Sequence, residues 1–262
     1  MITEETVDEL AARLDDAQRS VADTPSLADT HPMTIDDAYA VQKALLARRI
    51  GRDERRTGVK LGFTSKAKME QMGVSEIIVG ELTDGMCVAD GGTADLSRFI
   101  HPKVEPEVAF RIARDVDVDS PDPDTDTDTD TDITACVDAV APALEIIDSR
   151  YRDFRFTYED VVADNTSAAA YVIGPWQPLR DVSDLPVRLR GENGEAAGST
   201  AAILDGPLNA LRALLDMARR RGFALRAGDV VLAGAATAAI PLTPGVTTCE
   251  VAGLGQVGVR CV

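Results

Sequence analysis

The sequence predicts an α+β fold, with a β-rich core behind an N-terminal helical segment. Three observations carry this reading. Apolar residues recur at helical spacing only as far as about residue 50. After Arg56, short runs rich in Val, Ile and Phe alternate with Gly and Pro punctuation. No linker sets off a second hydrophobic centre anywhere in the 262 residues. The expected organisation is one domain over residues 1–262, with residues 1–52 as the helical segment and 53–262 as the core.

Residues 4–19 read as a surface helix, because Val7, Leu10 and Leu14 share one face and Thr6 with Glu9 spells a capping box. A second helix is expected over 35–50. Thr34 is its N-cap, Ile35, Ala38, Val41 and Leu45 form its stripe, and Gly51 ends it. Strands follow around Lys60, over 104–112 and over 141–147. Residues 115–132 hold nine aspartates, many in a Thr-Asp repeat with no apolar residue for a core, and read as a solvated, mobile loop. Pro207 starts a helix whose face carries Leu208, Leu211, Leu214 and Leu215. Arg219, Arg220 and Arg221 sit in its last turn and Gly222 ends it. The tail from Asp229 returns to strand and turn. Its Gly253-Leu254-Gly255-Gln256-Val257-Gly258 spells a dinucleotide fingerprint, but such a fold needs a helix and a strand after it, so a terminal hairpin is expected.

Charge excludes some functions. Acids number 44 against 27 bases, a net charge of −17, which repels phosphate backbones and argues against nucleic-acid binding. No apolar run approaches the roughly 18 residues of a membrane helix. The N-terminus carries acids where an export signal carries bases, and the four scattered cysteines form no Cys-x-x-Cys pair, so a reducing cytoplasm is expected. Aspartate and arginine dominate, with only five lysines. This composition suits a protein kept soluble in concentrated salt, a halophilic character. Neither a serine-hydrolase elbow nor a P-loop is present.

The chemistry concentrates in three segments. In Val104-Glu105-Pro106-Glu107-Val108-Ala109-Phe110-Arg111-Ile112 the period is two, so Glu105, Glu107 and Arg111 share a face. By itself this fits a solvated face or ion pairs with Arg111. In Ala141-Pro142-Ala143-Leu144-Glu145-Ile146-Ile147, one acid interrupts an apolar run, and glutamate is rarely buried unpaired. Three carboxylates from two strands suit a hard divalent ion: magnesium, with manganese as the alternative. Zinc fits less well, since the chain has two histidines and no nearby thiol. Lys60, in the glycine-flanked apolar run Gly58–Phe63, is either a surface lysine or one that meets an anionic substrate or delivers a proton. Val161–Ser167 ends in a cluster of hydrogen-bonding groups that also fits a simple turn.

Together these segments resemble the fumarylacetoacetate hydrolase superfamily, in its branch of 2-oxopent-4-enoate hydratases and 4-oxalocrotonate decarboxylases. The resemblance runs from about Ile35 onward, leaving out the Thr-Asp stretch. It implies a mixed β-sheet roll or barrel. It also implies that Glu105, Glu107 and Glu145 bind magnesium, that Lys60 is the active-site lysine, and that Val162–Ser167 lines the substrate site. Hydratases of this branch usually carry an acid in a Pro-Asp-Phe-Gly turn. Here Ile77-Ile78-Val79-Gly80 stands there, while Thr64–Met69, Phe99–Pro102, Gly198–Leu204 and Ala233–Ala238 are similar to the decarboxylase.

The decarboxylase is therefore the favoured reading, with substrate contacts from Ile78, Asp164, Ser167 and Thr237. The implied reaction removes CO2 from the dianion 2-oxohex-3-enedioate, with apolar residues around Ile78 surrounding the departing carboxylate. Glu76, two residues away, keeps the hydratase as the alternative. A non-catalytic metal-binding subunit is the third reading. The resemblance further implies a homo-oligomer and a complex with the hydratase of the next step.

Overall fold

The computed structural model describes residues 1–65, 69–70, 73–118 and 132–262. Most of the Thr-Asp repeat and residues 66–68 of the Thr64–Met69 segment lie outside them. Helices α1 (Glu4–Ser20) and α2 (Ile35–Ile50) form where the apolar spacing predicts. The cap of α1 differs from expectation. Thr3, not Thr6, is the N-cap and accepts the Thr6 N–H at 3.2 Å. Starting the helix at Glu4 puts Glu4 and Glu5 in the first turn, where the helix dipole favours acids, and leaves Thr6 inside it. Thr34 caps α2 as expected, with Asp37 reciprocating.

The strands are β1 (Arg56–Gly62), β2 (Ile78–Thr83), β3 (Cys87–Val88), β4 (Thr93–Ala94), β5 (Lys103–Ile112), β6 (Val137–Ile147), β7 (Ala168–Ile173), β8 (Gln177–Pro178), β9 (Pro186–Gly191), β10 (Gly194–Ser199), β11 (Val230–Ala235), β12 (Ile240–Pro241), β13 (Gly245–Val251) and β14 (Gly255–Cys261). Two further helices are α3 (Tyr158–Ala163) and α4 (Pro207–Arg221). Pro207 opens α4 and Gly222 closes it in the left-handed conformation, as their positions predict. The glycine-rich tail makes the hairpin β13–β14, which bears out the rejection of a dinucleotide fold.

Nine strands form one curled mixed sheet, in the order β2-β1-β11-β5-β6-β7-β3, with β12 beside β5 and β8 beside β6. The β1–β11 and β3–β7 pairs are parallel. The second sheet runs β10-β9-β13-β14-β4. Alternation along the large sheet sends Val59, Leu61, Val104, Val108, Phe110, Leu144 and Ile146 to one face. There they meet α4, through Leu211, Leu214 and Leu215, and the second sheet, through Val187, Leu189, Val251 and Val257. Each buried Leu on α4 is worth about 2 kcal/mol against exposure. The opposite face of the large sheet carries a small apolar floor of Leu82, Met86, Ala109, Ala143, Tyr171 and Leu232. Near β1 and β2, α1, α2 and α3 cover it, with Leu14, Val41, Leu45 and Val162 in one cluster with Phe63 and Ile78. Lys60, Ile78, Glu105, Glu107 and Glu145 lie on this second face.

Candidate active site

Strand pleating puts Glu105 and Glu107 on the same side of β5. Register then sets Glu145 of β6 directly opposite Glu105, while Glu107 faces the small Ala143. One carboxylate oxygen from each glutamate lies within 4.8 Å of the others. Glu107 and Glu145 are buried, at 1% and 0% exposure, so the solvated-face reading does not hold. Glu107 Oε2 accepts the Gly234 N–H at 2.7 Å. Glu107 Oε1 and Glu145 Oε1 receive no donor from the protein. Gly234 approaches this closely because it has no side chain: a Cβ there would stand 2.0 Å from Thr64 Oγ1, and its φ is +113°.

Lys60 on β1 reaches across to this cluster. Its Nζ lies 3.0 Å from Glu145 Oε2 and donates to the Thr166 carbonyl at 3.2 Å. Burial opposes its charge, but Glu145, Glu107 and Glu105 outweigh burial and raise its pKa, so it stands as an ammonium. Glu107 moves the other way from an ordinary acid. Burial first, then the charges of Glu145 and Glu105, push its pKa well up, against the pull of Lys60 and the Gly234 N–H. The donor set is all oxygen, and two buried oxygens lack partners. A hard divalent ion fits both features.

The other expected residues divide. Ile78 lies on the Lys60 side of the sheet by register, since Gly80 pairs with Lys60 and Ile78 with Gly62. Its side chain is buried and packs over Gly62, where a Cβ would stand 2.8 Å from Ile78 Cγ1. Asp164 turns to Arg150 instead: the guanidinium Nε donates to Oδ1, and the Arg150 N–H to Oδ2 at 3.1 Å. Burial pushes its carboxyl up to about 7, while Arg150 pulls it down. Ser167 is buried at the end of the same loop, with its carbonyl accepting the Asp148 N–H at 2.9 Å. Thr237 follows β11 near the start of β5, its hydroxyl on the Ala238 carbonyl at 2.9 Å. Glu76 is held by Arg220 at 2.6 Å.

Sequence reasoning missed the backbone groups, Thr166 C=O and Gly234 N–H. A backbone contact leaves no residue-type signature, and only the glycine itself hinted at close approach.

No family model matches the chain. It is 45% identical over 254 residues to a 4-oxalocrotonate decarboxylase of Pseudomonas sp, covering 95% of this chain and 96% of that protein. It is 38% identical over 262 residues to a 2-keto-4-pentenoate hydratase of Paraburkholderia xenovorans (strain LB400), covering 98% and 95%. The solved 4-oxalocrotonate decarboxylase from Pseudomonas putida G7, complexed with magnesium and adipate, superposes with a TM-score of 0.91 at 34% identity over 100% of this chain and 99% of that one. A fumarylacetoacetate hydrolase family protein from Yersinia pestis CO92 shares the fold alone, with a TM-score of 0.58 at 16% identity over 79% of this chain and 93% of that one. The chain thus belongs to the family of 4-oxalocrotonate decarboxylases and 2-keto-4-pentenoate hydratases.

Proposed function

We propose that this chain decarboxylates 2-oxohex-3-enedioate to 2-oxopent-4-enoate, using magnesium, or manganese in its place, held by Glu105, Glu107 and Glu145. The observation that carries the reading is the three-carboxylate cluster with buried Glu107 and Glu145 oxygens that no protein group donates to, in a chain so similar to a decarboxylase. The bound ion supplies Lewis-acid stabilisation of charge developing on the 2-oxo oxygen. In the reaction the bond to the distal carboxylate breaks, its electron pair passes through the alkene to that oxygen, and neutral CO2 leaves. Lys60 adds a positive charge beside the reacting end, and Nζ gives the carbon next to the 2-oxo group the proton that completes 2-oxopent-4-enoate. The Thr166 carbonyl and Glu145 fix where that ammonium points. Ile78 and its apolar neighbours keep water from the departing group, which favours CO2 over the anion. Ser167 and Thr237 contact the substrate, and Asp164 acts by holding its loop on Arg150.

The 38% identity to a hydratase favours a second reading, addition of water to 2-oxopent-4-enoate. Against it, position 78 is apolar and Glu76 is engaged by Arg220. The purified chain with magnesium and each substrate separates them. CO2 release supports the decarboxylase; 4-hydroxy-2-oxopentanoate as the only product overturns it. The same reading has the enzyme working in the cytoplasm as a homo-oligomer, in contact with the hydratase of the next step. Light scattering of the chain alone and with that hydratase measures both associations. Residues 1–262 form one domain in this reading, which calorimetry checks as a single cooperative transition.

A further inference from the structure

Asn165, Thr166 and Ser167 have φ of 50°, 52° and 60°, three consecutive non-glycine residues in the left-handed region. L-residues avoid that region, and such a run persists only where its surroundings over-determine it. The restraint is visible. β2 ends the large sheet, and the Glu81 backbone groups that face away from β1 are taken by the Asn165 side chain. Asn165 Oδ1 accepts the Glu81 N–H at 2.8 Å, and Nδ2 donates to the Glu81 carbonyl at 2.9 Å. One amide thus pairs with the edge as another strand would. The turn lies flat on the neighbouring residue, Gly80. A Cβ there would stand 2.4 Å from Thr166 Oγ1 and 2.7 Å from the Asn165 carbonyl. Gly80 is the residue that pairs with Lys60. The Thr166 carbonyl meets the Lys60 ammonium at 3.2 Å, so the clamp on β2 sets the position of the lysine's second acceptor.

We propose that Asn165 is a positioning residue for Lys60: it locks the left-handed turn onto β2 so that the Thr166 carbonyl, as a second acceptor, fixes where the ammonium points beside Glu145. The proposal rests on Lys60 belonging to the active site. Without the clamp the turn relaxes toward right-handed backbone, the carbonyl withdraws, and Lys60 keeps only its glutamate partners.

The test uses Asn165→Ala, Asn165→Gly and Asn165→Asp in the full chain. Glycine lacks the amide but adopts left-handed backbone without penalty, and aspartate keeps the acceptor for the Glu81 N–H. Expected for Asn165→Ala is a kcat lower by about 10- to 100-fold with KM changed less than about twofold, since a mispositioned group costs rate rather than binding. Asn165→Gly and Asn165→Asp each recover part of that loss. Acetylation of Lys60, read by mass spectrometry on magnesium-free folded protein, speeds up severalfold in Asn165→Ala relative to exposed Lys43. Lys60 labelling equal to wild type overturns the proposal. So does a kcat loss that only tracks the unfolded fraction, or glycine and alanine variants that behave alike. The labelling needs no substrate, so it stands even if the decarboxylase reading fails.

Discussion

The buried charges around Lys60 and those around Arg150 differ in how completely the protein answers them. Around Arg150 and Asp164 every group has a partner. Arg150 donates to both ends of Asp164, and to the carbonyls of Asp148 and Ala168 at 3.0 Å each. Asp148 in turn accepts the Ile100 and His101 N–H groups at 2.8 Å. Around Lys60, Glu107 Oε1, Glu145 Oε1 and Thr166 Oγ1 are buried and have no hydrogen-bond partner. A satisfied network rigidifies and specifies the fold, whereas an unsatisfied one is costly until something else binds. The first is architecture and the second is a site. The difference lies in the count of partners, not in burial or charge.

That contrast breaks most visibly at the glutamates. Glu107→Gln or Glu145→Gln, treated with EDTA and then given magnesium, is expected to lose activity by about 10³-fold; full activity in either would falsify the metal assignment. Lys60→Ala comes next, with kcat/KM lower by about 10²-fold and the fold intact by circular dichroism. An unchanged value removes the lysine from the site.

The satisfied cluster is expected to behave in the opposite way. Arg150→Leu strands a buried carboxylate and should cost about 3–5 kcal/mol in denaturant unfolding. Activity of the folded fraction should fall by less than the ~10²-fold of Lys60→Ala, because Arg150 acts only through the loop it anchors. A variant as stable as wild type would end the distinction drawn here.

The pH dependence of stability sharpens it further. The folded pKa of Glu107 lies well above its unfolded value. The metal-free fold therefore holds this stabilisation fully below the unfolded value, near 4.3, and loses it as pH rises through the raised one. Glu107→Gln should flatten that slope, and magnesium should offset it by about 2.7 kcal/mol at a hundredfold excess over its Kd. Thermal midpoints across pH, with and without magnesium, read this directly. The smallest effect is global: the acidic surface predicts a fold more stable in molar salt than at about 50 mM, and equal midpoints would remove the halophilic expectation.

Much of this was legible in the chain itself. The period of two over 104–112 placed Glu105 and Glu107 together, and the lone acid in the apolar run flagged Glu145, because strand periodicity is a local property. Helix stripes and Gly222 were equally local. What escaped depends on distant partners. The β10-β9-β13-β14-β4 sheet and the parallel β1–β11 pair join segments far apart in sequence, and no local pattern encodes that choice. Asp164 looked like a substrate ligand because its motif is rich in polar groups, but its partner Arg150 stands in the preceding loop. The Thr3 cap shows the usual slippage when neighbouring threonines offer the same hydroxyl.

The parallel pairing of β1 with β11 has a kinetic consequence. Lys60 sits opposite Leu232, and β11 bridges β1 to the strand bearing Glu105 and Glu107. A ribosome releasing this chain from its N-terminus exposes the lysine and all three acids long before the bridging strand emerges. Contacts of such long range form slowly. Catalytic competence is thus a late event in synthesis, and a chain truncated before β11 would carry the four charged residues without the strand that joins them.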